Sequence, residues 1–188
     1  MDKSGKAFSY ILEPDDDVHY YIPKDLISST ETILREYGDI SNPKEGIVYW
    51  GGTIKNNDVK IDMLYAPKAK ALYAGVFTLP KDNADFVRAL IDNNKVHVGI
   101  VHSHPTSFID HSTGDDEMIP FKAGGLISIV VPDHCRKGML PLTECGVHRF
   151  IKGRFERLTD RYIREHFVLQ DRIETLVIDH RKRTNEIE

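Results

Sequence analysis

Apolar residues recur at helical spacing in two segments of the chain. The first runs from Lys24 to Tyr37 and ends before Gly38, and its apolar positions fall on one face of a helix: Leu26, Ile27, Ile33, Leu34 and Tyr37. The second runs from Lys81 to Asn93, where the residues expected to share a face are Phe86, Val87, Leu90 and Ile91. Both segments are predicted to be amphipathic helices.

Five further segments have the continuous or alternating apolar pattern of strands. They cover residues 46–52, 59–66, 74–80, 96–104 and 124–132, and Pro80 ends the third. Residues 147–158 predict a hairpin that turns at Gly153, whereas the tail from Thr159 fits either one long helix or a helix followed by a strand. We therefore expect an α/β or α+β sandwich, with a central mixed sheet flanked by helices.

Composition limits the kind of protein this can be. The 188 residues, of which 40% are hydrophobic, predict one globular domain over residues 1–188, with a core at about 18–158 and a C-terminal extension at 159–188. A net charge of -4 gives no support for nucleic-acid binding. No apolar run approaches the roughly 20 residues of a membrane helix, and the first residues do not resemble a secretory signal. Two cysteines, Cys135 and Cys145, are expected to be ordinary reduced thiols of a cytoplasmic protein.

The segment "GIVHSHPTSFIDHSTGDDEM", residues 99–118, contains the candidate chemistry. Side chains alternate along a strand, so His102 and His104 point the same way, about 6.6 Å apart along the chain, while Ser103 faces away. Pro105 should end the strand. Two imidazoles at this spacing can converge on one metal ion.

Ser112 and Asp115 have the spacing of a helix N-cap and its first turn, so both side chains can face the same point. Two histidines and one carboxylate, His102, His104 and Asp115, predict one zinc ion per chain, at a site with three protein ligands and one position for water, as in catalytic zinc centres. Other residues nearby are alternative ligands, with solvent exposure as their default: Asp110, His111 and Asp116.

A water molecule bound at such a site needs a general base. Glu45 is the best candidate because it directly precedes a buried strand, from which its carboxylate can lean over the metal. Glu31 and Glu36 lie in the predicted first helix, where they are expected to face solvent, and are the next candidates.

An upstream glutamate, His-Ser-His-Pro and then Ser-x-x-Asp after seven intervening residues resemble the JAMM motif of the JAB/MPN metalloprotease family. The resemblance spans about residues 18–158, although Val48 stands where the family often has a glycine. It implies a fold like that of cytidine deaminases and zinc-dependent hydrolysis after the C-terminal glycine of ubiquitin or a ubiquitin-like protein. Carried over by position, His102, His104 and Asp115 bind zinc, Glu45 is the general base, and Ser112 supports the oxyanion.

The compact chain resembles the bacterial branch of this family. That branch commonly accompanies activating and conjugating enzymes for ubiquitin-like proteins, some of them in antiphage defence, so such enzymes are the expected partners. Two alternatives remain open. One is a hydrolase of the same family that acts on a sulfur-carrier protein or a small peptide, and the other is a non-catalytic scaffold or binding module. An extended substrate tail is expected to pair with a free sheet edge between Asp58 and Leu79.

Overall fold

Ten strands form one mixed sheet in the computed structural model, which describes residues 11–12, 14–171 and 173–181. Together with two further strands, β5 and β6, the strands in chain order are β1 (Ile11–Leu12), β2 (His19–Pro23), β3 (Ile47–Lys55), β4 (Asp58–Ala66), β5 (Ala69–Leu72), β6 (Gly75–Thr78), β7 (Val96–Ser103), β8 (Ile127–Val131), β9 (Gly146–Ile151), β10 (Arg154–Leu158), β11 (Phe167–Gln170) and β12 (Leu176–Asp179). The helices are α1 (Lys24–Tyr37), α2 (Pro80–Asp92), α3 (Thr113–Met118) and α4 (Asp160–His166). Short 3-10 turns lie at Asp133–Cys135 and Leu142–Glu144.

The main sheet has the order β1-β10-β9-β8-β7-β3-β4-β2-β11, and β12 also pairs with β4. β5 and β6 form a separate two-stranded hairpin. At the centre, β7 runs parallel to β8 and antiparallel to β3. The predicted mixed sheet with flanking helices is therefore confirmed.

The centre of the sheet is buried on both faces, which explains the continuous apolar run in β3. Val48 and Trp50 belong to the core that α1 covers, whereas Ile47 and Tyr49 belong to the core on the α2 side. Alternation along a strand sends successive side chains to opposite faces, so both sets must be apolar.

Most predicted elements are confirmed, and α1 has the predicted bounds. The predicted core face of α2 is wrong in part. Phe86 and Leu90 are buried, but Val87 is 36% exposed and Ile91 is 69% exposed, because the helix contacts the sheet over a stripe narrower than the apolar pattern. The predicted hairpin is confirmed, with Gly153 in the left-handed conformation of its turn.

The tail is a helix followed by strands, which decides between the two predicted options. After α4, β11 pairs with β2 and β12 pairs with β4, both in parallel, so the tail adds two strands to the main sheet. Residues 182–188 of the basic tail and residues 1–10 lie outside the described residues. Within the described ranges, no helix has the length and apolar character needed to cross a membrane.

Candidate metal centre

The two histidines of the motif meet where β7 ends. His102 lies within β7 between Ile47 of β3 and Val130 of β8, and His104 follows the last residue of the strand. Their Nε2 atoms are 3.2 Å apart, and both side chains are buried. The Nδ1 atom of His104 lies 2.8 Å from the carbonyl oxygen of Phe108. Because a carbonyl only accepts, Nδ1 carries the hydrogen, and the Nε2 lone pair of the neutral ring faces the centre.

The third donor comes from the first turn of α3. Ser112 caps this helix: its Oγ accepts from the Asp115 N–H at 3.2 Å, and the Ser112 N–H donates to Asp115 Oδ2 at 2.7 Å. This capping box fixes the Asp115 carboxylate, with Oδ1 3.4 Å from His102 Nε2 and Oδ2 3.3 Å from His104 Nε2. The predicted N-cap and the predicted convergence of these residues are both confirmed.

The donor triangle of His102, His104 and Asp115 fits a small tetrahedral cation. The two Nε2 atoms are 3.2 Å apart, and the carboxylate approaches them with different oxygens: Oδ1 lies 3.4 Å from His102 and Oδ2 lies 3.3 Å from His104. Ligands bound at about 2.0 to 2.1 Å with tetrahedral angles are roughly 3.3 to 3.4 Å apart, and those bond lengths are typical of zinc with nitrogen and oxygen ligands. This is one of two groups of side chains within the described ranges that could hold a metal ion.

The cysteines do not take part in this centre. Cys135 and Cys145 are free, lie in the core on the α1 side, and are almost fully buried. Burial raises the pKa of the Cys135 thiol to about 11 and that of Cys145 to about 12, so neither is a thiolate near neutral pH. Both thiols are free, as the sequence predicts.

The three donors interact strongly with one another. Burial alone would raise the pKa of the Asp115 carboxyl, but the two imidazoles and the Ser112 N–H outweigh it and hold that pKa well below its usual range. Burial lowers the pKa of His102. The pKa of His104 is raised despite its burial, because the Asp115 carboxylate stabilises the imidazolium. The Asp115 carboxyl is therefore ionised near neutral pH, and its oxygens lie beside the two imidazoles.

Glu45 lies in the loop directly before β3 and lines the same groove as the donor triangle. Its side chain is almost entirely buried, with 4% of the residue exposed. Burial raises the pKa of the carboxyl to about 7; His104 lowers it and Asp115 raises it further by smaller amounts. A carboxyl with this pKa can both accept and release a proton near neutral pH.

Backbone contacts join the Glu45 segment to the histidine strand and to the hairpin. The Glu45 N–H donates to the Leu72 carbonyl at 2.8 Å, which joins it to β5. The Gly46 N–H donates to Ser103 Oγ at 2.9 Å, and the Ser103 N–H donates to the Gly46 carbonyl at 3.0 Å. Ser103, which faces away from the two histidines, therefore holds the base segment against β7.

The other glutamates proposed as the base lie elsewhere. Glu31 accepts from the Met139 N–H at 2.8 Å and pairs with Arg35, and Glu36 pairs with Arg181 at 2.8 Å. Neither lines the groove. Their side chains hold α1 to neighbouring segments, which leaves Glu45 as the candidate base.

The alternative ligands Asp110, His111 and Asp116 have other partners. His111 is 3% exposed, so its expected solvent exposure is wrong. Its Nδ1 lies 2.9 Å from Asp116 Oδ1 and its Nε2 lies 2.8 Å from Ser128 Oγ. Asp110 accepts from Arg157 at 3.2 Å. These contacts hold the motif loop and α3 against β8 and β10.

Gly146 allows the motif loop to lie directly on β9. A Cβ atom at this position would lie 1.7 Å from the Ile109 carbonyl oxygen, a distance that no side chain permits. The absence of a side chain at residue 146 is thus a condition for the position of residues 105–112, and so for the start of α3.

His134 is a site residue that the sequence reasoning missed. Asp133, His134 and Cys135 form a left-handed turn, with φ values of 52°, 52° and 60°. The His134 N–H donates to the His104 carbonyl at 2.8 Å, and its Nδ1–H donates to the Lys44 carbonyl at 3.0 Å. His134 therefore connects the segment with Glu45 to the strand end with His104. The available sequence signal is weak: Asp and His tolerate left-handed backbone better than most residues.

A groove with a cavity volume of about 450 Å³ leads to the donors. Its walls are mostly apolar and include Ile47, Ile100 and Phe108, and the β5–β6 hairpin forms one side. Tyr49 fixes that side, because its hydroxyl lies 2.8 Å from Thr78 Oγ1. Ser112 lines the groove as well. The groove is therefore a route by which an extended apolar or small-residue segment could reach the three candidate metal ligands.

The sequence predicts a free sheet edge between Asp58 and Leu79. This prediction is wrong for β4, and for the β5–β6 hairpin it stays a prediction. β4 pairs with β3 on one side and with β2 and β12 on the other. Among the described residues, β5 and β6 pair only with each other, and residues of β6 line the groove.

No family model matches the chain, and no curated protein matches its sequence. A solved structure does share the fold. It is the solution structure of protein DSY2949 from Desulfitobacterium hafniense, with a TM-score of 0.60, 17% sequence identity, and coverage of 82% of this chain and 95% of that chain. At this identity, the similarity describes the fold alone.

Proposed function

We propose that this chain is a zinc-dependent hydrolase of the JAMM type, with the deaminase-like fold of the JAB/MPN family. In this proposal it cleaves the peptide or isopeptide bond after the C-terminal glycine of a ubiquitin-like protein. The observation that carries the proposal is the donor triangle of His102, His104 and Asp115, whose donor atoms approach one another to 3.2 to 3.4 Å beside a buried carboxyl at the end of an open groove. A purely structural zinc site usually has four protein ligands and no open groove.

Each residue has a chemical role in the proposed reaction. A bound zinc ion would lower the pKa of water to about 7 and polarise the scissile carbonyl. Glu45 accepts a proton from the attacking water and passes it to the leaving amine, and its pKa of about 7 suits both transfers.

Ser112 serves as the oxyanion donor. Its Oγ uses a lone pair, and not its hydrogen, in the N-cap bond to Asp115. The hydroxyl hydrogen is then free of that bond and can donate to the carbonyl oxygen as it becomes negative.

The groove supports a substrate with an extended, narrow end. A chain segment that pairs with β6 would lie along the groove with its last peptide bond near the donors. A bulky side chain next to the scissile bond would collide with the walls before the carbonyl reached the centre, whereas glycine has none. The proposal includes the setting that the resemblance implies: a bacterial ubiquitin-like conjugation pathway, with its activating and conjugating enzymes, in antiphage defence.

The test is cleavage of a fusion in which a ubiquitin-like protein precedes a reporter, with the cut site determined by intact mass. We expect zinc-dependent cleavage directly after the C-terminal glycine, and loss of cleavage when that glycine is replaced by leucine. The Glu45→Gln variant should lose most of this cleavage. Its control is Glu144→Gln, which changes an exposed acid away from the groove and should cleave normally.

Two results would contradict the proposal. Equal cleavage of the glycine and leucine fusions would exclude the specificity. Absence of cleavage in the zinc-loaded protein would favour a hydrolase of a sulfur-carrier protein or small peptide, or a non-catalytic scaffold.

A further inference from the structure

A second group of side chains that could hold a metal ion lies around the start of β2, towards the β11 end of the main sheet. Asp17, His19 and His166 each offer one ligand atom, and these atoms all lie within 4.8 Å of one another. His19 begins β2 and His166 ends α4, and their ring centroids are 4.9 Å apart. β2 is three strands away from β7 in the sheet, so this group is separate from the centre at His102.

The two imidazoles are oriented by consecutive backbone carbonyls. His19 Nδ1 lies 3.2 Å from the Asp17 carbonyl oxygen, and His166 Nδ1 lies 3.0 Å from the Val18 carbonyl oxygen. A carbonyl accepts only, so each Nδ1 carries the hydrogen and each Nε2 of the neutral ring has a lone pair. Metal-binding histidines usually have this arrangement, and His104 has it too.

The ring of His166 is further fixed by packing. It stacks on Tyr162, with ring centroids 4.0 Å apart and an angle of 9° between the planes. Tyr162 in turn donates to Asp16 at 2.7 Å, and Asp16 also pairs with the buried Arg149. A ligand ring held in this way loses little freedom when a metal binds.

The local charge favours a cation. Asp16 is committed to Arg149, and this contact lowers its pKa to about 2. Asp17 is different: its side chain is 82% exposed, and its Oδ1 lies 3.7 Å from His19 Nδ1, so the carboxylate has to rotate towards Nε2 to bind the same ion. An exposed carboxylate beside two fixed imidazoles can move into a coordination shell at small cost.

We propose that His19, His166 and Asp17 bind a second divalent transition-metal ion, in addition to the ion at His102, His104 and Asp115. Imidazole nitrogens with a carboxylate oxygen suit zinc, copper and nickel, and suit magnesium and calcium poorly. An ion at this position joins β2 to the end of α4. It therefore holds the C-terminal helix and β11 to the rest of the sheet.

The experiment measures zinc per chain by mass spectrometry of the metal after equilibration with excess zinc and removal of free ions. The comparison is between the full chain and the double variant H19Q with H166Q. We expect the double variant to hold one zinc ion fewer per chain. Asp17→Asn should weaken binding at this site, and Asp15→Asn, an exposed neighbour outside the group, should leave zinc content unchanged.

A second readout confirms the location. Zinc should change the 15N shifts of His19 and His166 Nε2, and should slow amide exchange in α4 of the full chain but not of the double variant. Equal zinc content in the full chain and the double variant overturns the proposal. So does a one-ion difference without any zinc-dependent change at the two rings.

Discussion

Glu45→Gln tests the burial of the proposed base through stability as well as activity. Burial raises the pKa of this carboxyl from 4.5 to about 7. The pKa of this carboxyl is thus higher in the folded state than in the unfolded state. The folded state therefore loses stability as the pH rises from about 4.5 through 7 and the buried carboxyl ionises. Each pKa unit corresponds to about 1.4 kcal/mol, so the loss is about 3 kcal/mol above pH 7. The Glu45→Gln variant, which has no charge to bury at this position, should not show this loss of stability.

The assay is urea unfolding of the metal-free chain at pH 4 and pH 8.5, without zinc because the ion would itself stabilise the carboxylate. At pH 8.5 the Glu45→Gln variant should exceed wild type in free energy of unfolding by about 3 kcal/mol, and at pH 4 the two should be nearly equal. Glu144→Gln, at an exposed position, should match wild type at both pH values.

Zinc-loaded Glu45→Gln should lose about 100- to 10,000-fold in turnover while retaining its metal. An identical pH dependence of stability in Glu45→Gln and wild type would refute the raised pKa of the buried Glu45 carboxyl. Near-normal turnover would refute its role as the base.

Further substitutions test the remaining parts of the site. His102→Ala with His104→Ala should lower zinc content by one ion per chain, measured on folded protein; unchanged zinc would contradict the ligand assignment. Ser112→Gly removes the hydroxyl but costs the helix cap only a few tenths of a kcal/mol, so turnover should fall about 100- to 1,000-fold with stability almost unchanged. His134→Gly keeps the left-handed turn but loses the hydrogen bond to the Lys44 carbonyl, and should lower kcat about 10- to 100-fold at constant KM and zinc content. His134→Asn can donate that hydrogen bond and should recover most of the lost kcat. Equal kcat in both variants would exclude a positioning role for His134. Gly146→Ala should cost about 1 to 3 kcal/mol of stability in urea unfolding, because its Cβ meets the Ile109 carbonyl; wild-type stability would contradict that contact.

The donor triangle could be predicted from sequence because its geometry is local. Period-two alternation puts His102 and His104 on one face of a strand, and the Ser-x-x-Asp spacing defines a capping box. Both features depend on residues within a few positions of one another. The structure brings these two local units together at 3.3 to 3.4 Å.

Long-range contacts were not predictable in the same way. His134 contacts Lys44 across 90 positions, and Asp16 pairs with Arg149 across 133. The burial of His111 depends on Ser128 of β8. A single sequence contains no periodicity that links such distant positions. For the same reason, the pairing of β11 and β12 with the sheet had no local signal.

The measurement that tests the metal centre most directly is X-ray absorption at the zinc edge. The chain for this measurement is the H19Q and H166Q variant loaded with one zinc ion, so that only the centre at His102, His104 and Asp115 contributes. We expect imidazole scattering from two histidines and nitrogen or oxygen neighbours at about 2.0 to 2.1 Å, with no sulfur. Sulfur neighbours at about 2.3 Å, absence of imidazole scattering, or failure of this variant to bind zinc would contradict the account.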